Sequence, residues 1–438
     1  SLPFAPTGAQ KRAVSDAVLD MQSGTAMNRL VQGDVGSGKT LVAAALVWYV
    51  WKNGYASAFM APTEILANQH FETLSGFLKP FGLRIGKLTG SMTAKQKREV
   101  KAELAAGELD LIIGTHALFS EDVEYKNLAL VITDEQHRFG VEQRAALASK
   151  GENPHKLVMS ATPIPRTLAL MIYGDLDISV LKELPKGRQP VETYAVTGKL
   201  RERAFNYVKK YLDEGRQGYI VCPMIEESDM DLQDVKTYAK KLSQGTFKDY
   251  TVGLLHGRMS GAQKEQVMND FKEHKIDLLV STTVVEVGVD VPNAAIMVIE
   301  NADRFGLSQL HQLRGRVGRG KYKSSCILIT DNVNEESVKR LKILGKTNDG
   351  FKISEEDLKL RGPGDFFGSR QHGLPALKIA DMSQDMDILR KAQEAAQLIR
   401  NADPKLERTE NIYLRELVYK LFDLSLIHIS EPTRPRLI

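Results

Sequence analysis

Along the chain, short apolar runs alternate with segments whose apolar residues recur every three or four positions. That alternation predicts parallel strands joined by crossover helices. Leu30-Val31-Gln32 reads as a strand, Leu41 to Trp51 as an apolar helix, and Leu128 to Thr133 as a buried strand. One stretch occurs twice: Leu88 to Leu118 aligns with Leu255 to Val285 without a gap, at a constant offset of 167. In each copy a hydroxyl residue precedes a glutamine by three positions, Thr93 with Gln96 and Ser260 with Gln263, the capping box that opens a helix. Val100 and Leu104, matched by Val267 and Phe271, then form an i, i+4 apolar pair facing a core. Asp110-Leu-Ile-Ile and Asp277-Leu-Leu-Val predict buried strands ending near Thr115 and Thr282.

A repeat of this length means two similar domains and not a solenoid. The expected fold is α/β, with two tandem parallel-sheet lobes covering residues 1–185 and 186–345. A small helical or hairpin element is expected over 346–424. Glu183-Leu-Pro-Lys-Gly-Arg-Gln-Pro190 has the prolines of a linker between lobes. Ligands of such sheets bind at the carboxyl ends of the strands.

Composition changes this picture little. Hydrophobic residues at 42% and charged residues at 26% are ordinary for a globular chain, and the +4 net charge permits a polyanion partner without demanding one. Leu41 to Trp51 is the longest apolar stretch, about half of a membrane span. Cys222 and Cys326 sit in strand-like runs and read as buried small hydrophobes, not as a disulfide or a metal pair. Lys95 to Lys101 and Arg201 to Lys210 read as solvated helix faces. Ser1 falls inside a motif, so upstream sequence is expected. Ser425 to Ile438 breaks a helical pattern and is similar to translated adapter sequence, so a non-native tail is expected there.

The candidate chemistry begins at Gly33-Asp-Val-Gly36-Ser37-Gly38-Lys39-Thr40, a P-loop with a strand before it and a helix after it. Its glycines let backbone N–H groups curl around phosphate oxygens, Lys39 reaches the β and γ phosphates, and Thr40 holds Mg2+. Asp134 and Glu135 end a buried strand, where Asp134 suits the metal and Glu135 the attacking water. Beside them, His137 reads as a γ-phosphate sensor. Gln312-Leu-Arg-Gly315-Arg316-Val-Gly318-Arg319 offers Arg316 and Arg319 as fingers from the other lobe. ATP and Mg2+ are the expected ligands.

Together these blocks resemble the superfamily 2 helicases and, within them, the RecG family of branched-DNA translocases, across nearly all of residues 1–400. The resemblance implies RecA-like lobes. It places Gln10 on adenine, Gly288 and Asp290 on nucleotide, and Gln312 with the fingers. It places Thr63, Thr115 and Thr282 on the DNA backbone, and Ser160 and Thr162 in coupling hydrolysis to lobe motion. Gly350 to Gln371 is similar to the element that RecG and Mfd use to move on duplex DNA, with Arg361 and Gln371 its polar residues. In that element Ser354 is expected to cap a short helix, and a glycine-rich loop is expected after Arg361. His372 departs from the serine of the family's pattern. RecG proteins carry an N-terminal wedge domain that grips the branch point; residues 1–438 hold no stretch similar to it, so they are expected to act as a motor with reduced preference for forks.

The implied partners are branched or duplex DNA, bound without sequence preference, and single-stranded DNA-binding protein. The implied state is a cytoplasmic, nucleoid-associated monomer. No array of aromatics suits stacking of successive single-stranded bases, which favours tracking on a duplex. Two other readings stand beside it: an Mfd-like translocase that pushes on RNA polymerase, and an ATP-gated DNA clamp without directional movement.

Overall fold

The computed structural model describes residues 5–120, 122–135, 153–161, 176–183, 190–223, 229–282, 291–332, 334–366 and 386–429. The chain divides into two compact units, Ser1–Asp357 and Leu358–Ile438.

The first unit holds two parallel sheets. Its first sheet comprises β1 (Asn28–Gly33), β2 (Ala56–Met60), β3 (Ile85–Leu88), β4 (Leu111–Gly114), β5 (Leu128–Asp134), β6 (His155–Ser160) and β7 (Asp177–Leu181). Around it lie α1 (Gly8–Gln22), α2 (Lys39–Lys52), α3 (Glu64–Leu78) and α4 (Ala94–Ala106). The second sheet comprises β8 (Val191–Thr197), β9 (Gln217–Val221), β10 (Val252–Leu255), β11 (Leu278–Ser281), β12 (Ala294–Ile299) and β13 (Ser324–Thr330). With it come α5 (Arg201–Asp213), α6 (Asp229–Gln244), α7 (Gly261–Lys272), α8 (Leu307–Arg314) and α9 (Glu335–Lys346).

The strand orders are β3-β4-β2-β5-β6-β1-β7 and β10-β11-β9-β12-β13-β8. Strand for strand these are the same arrangement, with β7 added to the first sheet. Central strands such as β2, β4, β9, β11, β12 and β13 are buried along their whole length, as parallel strands covered on both faces must be.

The repeat read from sequence is matched bond for bond. Both capping boxes form, at Thr93 and at Ser260. Leu104 and Phe271 are buried. Lys97 Nζ donates to Gly90 O and Lys264 Nζ to Gly257 O. Asp110 accepts from the backbone N–H of Arg84 at 2.7 Å, and Asp277 from that of Thr251 at 2.8 Å.

The duplication also shows what the second lobe has lost. Where β1 leads into the P-loop and α2, β8 leads through Gly198-Lys199-Leu200 into α5. The acid after β12, Glu300, stands where β5 carries Asp134, and the next residues, Glu135 and Asn301, share a left-handed backbone at φ 51° and 45°. Arg201 at the start of α5 reaches both oxygens of Glu300 at 3.2 Å and Asp331 at 2.9 Å, and Tyr238 also donates to Glu300. A guanidinium thus fills the space that phosphate and metal would need. Arg201 is therefore no solvated face residue, whereas Lys95 of the other basic segment is. Arg201→Ala strands the buried Glu300 carboxylate. Losing a partner from a buried pair costs about 3–5 kcal/mol, and a third of the Arg201 side chain is exposed, so about 2 kcal/mol is expected. A lowered denaturant midpoint with unchanged ATP affinity would show it.

Cys222 and Cys326 are buried free thiols, and burial pushes both up to about 12, so neither is a nucleophile at neutral pH.

The expectations for 350–371 are also corrected. Ser354 does not cap a helix. The helix α10 runs Gly350–Phe366, and the cap is Asp349, whose Oδ1 accepts from Phe351 N at 2.9 Å and Lys352 N at 3.4 Å. Asp349 offers a carboxylate to the helix N-terminus before Ser354 is reached. Ile353, Ser354 and Asp357 then lie on the buried face. Helical backbone continues through Arg361 to Phe366 where a glycine-rich loop was expected.

In the second unit, α11 (Met386–Ala402) and α12 (Ile412–Ile429) are joined by a turn organised on Asp403. Its carboxylate accepts from Glu407 N, Arg408 N and Asn411 Nδ2. The helix α12 continues past Ser425 to Ile429, beyond the point where the pattern was expected to break. Among the described residues, no helix is long and apolar enough to cross a membrane.

Candidate nucleotide site

The site lies at the carboxyl ends of β1 and β5. Gly36 and Gly38 adopt φ of 81° and 83°, conformations that a side chain would strain. A Cβ on Gly38 would also stand 2.2 Å from Gln10 Nε2. Gln10 is nearly buried: its Nε2 donates to Ser37 O at 2.8 Å, and its Oε1 accepts from Thr7 N in the capping box of α1. The residue expected on adenine thus also braces the P-loop from behind.

Lys39 begins α2 and is nearly buried. Its ammonium folds back onto Gly33 O at 2.7 Å and Asp34 O at 3.0 Å. These carbonyls hold the cation where phosphate oxygens would otherwise compete for it. Thr40 follows on the first turn of α2.

Asp134 and Glu135 end β5 side by side, and their environments push them apart. Burial works to raise the Asp134 carboxyl, but the hydrogen bond and charge of His70, with Lys39 nearby, hold it below the usual carboxylate range. His70 Nε2 meets Asp134 Oδ2 at 2.8 Å, and its ring leans on Phe59. Glu135 goes the other way: burial first and the Asp134 charge second push it up to about 7. Its Oε1 accepts from Ala161 N at 3.1 Å. One acid stays ionised and the other is poised near neutrality, a pairing suited to a metal ligand beside a general base.

As the expected general base, Glu135 must be ionised to accept a proton. ATP turnover is therefore expected to fall as pH drops through about 7, beyond what an ordinary carboxylate predicts. A pH profile of kcat/KM flat between pH 5.5 and 8 would contradict the assignment.

The second lobe completes the site. His311 Nε2 meets Asp34 Oδ1 at 2.7 Å, and a Cβ on Gly315 would stand 3.2 Å from Val35 Cβ, so the α8 turn rests on the P-loop. Gln312 and Arg316 are nearly buried there. Arg316 lies close enough to Glu135 for its charge to lower that carboxyl. Arg319 is turned onto its own loop, Nε donating to Gly315 O at 3.1 Å.

The residues expected on DNA are differently placed. Thr63 caps α3, accepting from Leu66 N. Thr115 and Thr282 occupy matching positions after β4 and β11, their N–H groups donating to Leu88 O and Leu255 O. Both hydroxyls are buried without a hydrogen-bond partner among the described residues. Ser160 is buried at the end of β6. His137, Thr162, Gly288, Asp290, Gln371, the side chain of Arg361 and most of the linker at 184–189 lie outside the described residues.

Sequence reasoning missed His70, Asp34, His311 and Arg314. His311 stands one residue before Gln312, and Asp34 stands inside the P-loop. Their type and position gave the only signal.

Two parallel-sheet lobes, with a P-loop on one and an arginine-bearing turn of the other seated against it, define a helicase core. Three family models match in order: DEAD/DEAH box helicase over residues 7–171, helicase conserved C-terminal domain over 203–321, and ATP-dependent DNA helicase RecG, domain 3, C-terminal, over 347–425. The chain belongs to the RecG family. The RecG of Bacillus subtilis (strain 168) is 50% identical over 421 residues, 96% of this chain and 62% of that one. The RecG of Thermotoga maritima is 50% identical over 401 residues, 91% of this chain and 51% of that one. A solved RecG bound to a three-way DNA junction superposes with a TM-score of 0.75 at 46% identity, covering 89% of this chain and 51% of that chain. The chain thus spans between half and just over three fifths of the relatives it matches.

Proposed function

We propose that this chain hydrolyses ATP and uses the cycle to translocate on duplex DNA and remodel branched DNA, such as stalled forks and Holliday junctions. The observation that carries this reading is the seating of the second lobe's α8 turn on the P-loop, with His311 on Asp34 and Arg316 near enough to Glu135 for its charge to be felt there. A hydrolysis site assembled from two lobes ties each turnover to their closure. The match to the RecG domain 3 model over 347–425 and the relative solved on a three-way junction favour this reading over a polymerase-pushing translocase.

In this mechanism Lys39 leaves the carbonyls of Gly33 and Asp34 for the β and γ phosphates. Thr40 and the ionised Asp134 offer hard oxygen donors that fit Mg2+. When bound, the ion would neutralise charge on those phosphates. Glu135 takes the proton of the attacking water, while Arg316 and Arg319, aided by Gln312, neutralise the transferring phosphoryl group. Gln10 and His137, with Gly288 and Asp290 of the second lobe, report the nucleotide's presence. Ser160 and Thr162 pass the change to residues on the DNA backbone, among them Thr63, Thr115 and Thr282. Burial of the last two hydroxyls means that their loops must shift for DNA to reach them. The division into lobes at 1–185 and 186–345 and a translocation element at 346–424 belongs to the same reading, with Arg361 and Gln371 contacting the moving parts.

Steady-state ATP hydrolysis without DNA, with linear duplex and with forked duplex tests it. Strong stimulation by duplex, weakening with salt as phosphate contacts require, is the expected result. Turnover indifferent to DNA would reduce the chain to a nucleotide switch.

A further inference from the structure

Asp34 lies in the P-loop, yet its carboxylate is bonded by two groups from beyond the first sheet. His311 Nε2 on α8 meets Oδ1 at 2.7 Å, and the Gly350 N–H at the start of α10 reaches Oδ2 at 3.4 Å. The second bond is long, but Gly350 is the first residue of a helix whose N-terminal dipole attracts the same carboxylate.

The proton on His311 is settled by its other neighbour. Arg314 Nη2 stands 2.8 Å from His311 Nδ1, and a guanidinium can only donate. His311 Nδ1 therefore carries the lone pair, and Nε2–H points at Asp34. Arg314 Nη1 in turn donates to Leu344 O at 2.7 Å and Thr347 O at 3.0 Å. Those carbonyls lie at the end of α9 and in the link to α10. The segment 344–350 is thus held at one end by Arg314 and at the other by Asp34, with His311 joining the two.

We propose that Asp34, His311 and Arg314 form a positioning relay that ties the state of the phosphate loop to the start of α10. Lys39 now holds the backbone carbonyl of Asp34. When phosphates draw the ammonium away, that carbonyl is released and the Asp34 backbone is free to shift. Its carboxylate carries Gly350 and His311 with it, and α10 receives the displacement at its first turn. None of the three side chains touches the transferring phosphoryl group in this scheme. The inference rests on the translocase reading above.

Gly350→Pro tests it with little collateral change. Proline is well accepted at the first position of a helix, after a capping position whose backbone is ordinarily extended, and it removes only the N–H that donates to Asp34. Gly350→Pro is expected to keep the KM for ATP and the DNA-free turnover, while duplex stimulation falls about fivefold or more. Triplex displacement per ATP hydrolysed should fall with it. His311→Ala should lose stimulation similarly, and His311→Gln, which keeps a donor, should recover part of it. Combining Gly350→Pro with His311→Ala should add little, since both cut one relay.

Full stimulation and unchanged displacement per ATP in Gly350→Pro, in a chain whose wild type is stimulated, would overturn the relay. If the proline variant melts well below wild type, His311→Ala against His311→Gln decides, and equal stimulation in both would be fatal. A wild type indifferent to duplex DNA would instead refute the translocase reading, and the relay with it.

Discussion

Arg316→Ala should lower the kcat for ATP by about a thousandfold or more while leaving ATP binding nearly intact, the scale on which an arginine finger acts. Arg316 is the cation of the second lobe whose field reaches Glu135, and it is nearly buried, where a charge is poorly screened and its effect large. Binding should survive because Lys39 and the P-loop backbone all belong to the first lobe. Arg316→Lys should recover little, since an ammonium has neither the reach nor the planar fork of a guanidinium. Arg319, turned onto Gly315 O, should cost less when removed. Single-turnover hydrolysis beside nucleotide affinity separates the two effects. A kcat within threefold of wild type for Arg316→Ala would show that the lobes do not share the reaction.

Glu135→Gln should lower turnover by about a hundredfold to ten-thousandfold, the usual contribution of a general base. The amide keeps the shape and an acceptor for Ala161 N but cannot take a proton. ATP should therefore bind and stay, and unhydrolysed ATP should be recovered from the variant. Stability should move oppositely to activity. The folded chain favours the neutral Glu135, since burial and Asp134 raise it to about 7. Below the ordinary carboxylate range there is no penalty. As pH rises through about 7 the cost of ionising a buried group beside another acid appears in full. Glu135→Gln escapes that cost, so its melting temperature should exceed wild type at pH 8 and converge with it towards pH 5. Normal steady-state hydrolysis by this variant would remove Glu135 from the mechanism.

Much of this was legible from residues alone, for local reasons. A P-loop needs glycines where φ is positive and a lysine on the first helical turn, and Gly36, Gly38 and Lys39 supply them. The duplication was readable only from Leu88 to Leu118, because β3 and β4 correspond to β10 and β11 without a change in length. Elsewhere the connections differ in length, and only the strand order shows that every strand except β7 has a counterpart. The cap of α10 was misread because Ser354 and Asp349 are both good caps, and the choice depends on which register buries Ile353.

What the sequence by itself determined is the set of short-range features: strand and helix pattern, capping boxes, the phosphate loop, and the acids at the end of β5. Each follows from neighbours within a few positions, whose geometry the backbone dictates. Tertiary structure alone decided the meetings at long separation. It brought Arg316 near Glu135, set His70 on Asp134, filled the second lobe's vacant phosphate position with Arg201, and tied Asp34 to His311 and Gly350. No local pattern encodes these contacts, because a side chain's charge state and partners depend on what packing brings within a few ångströms of it.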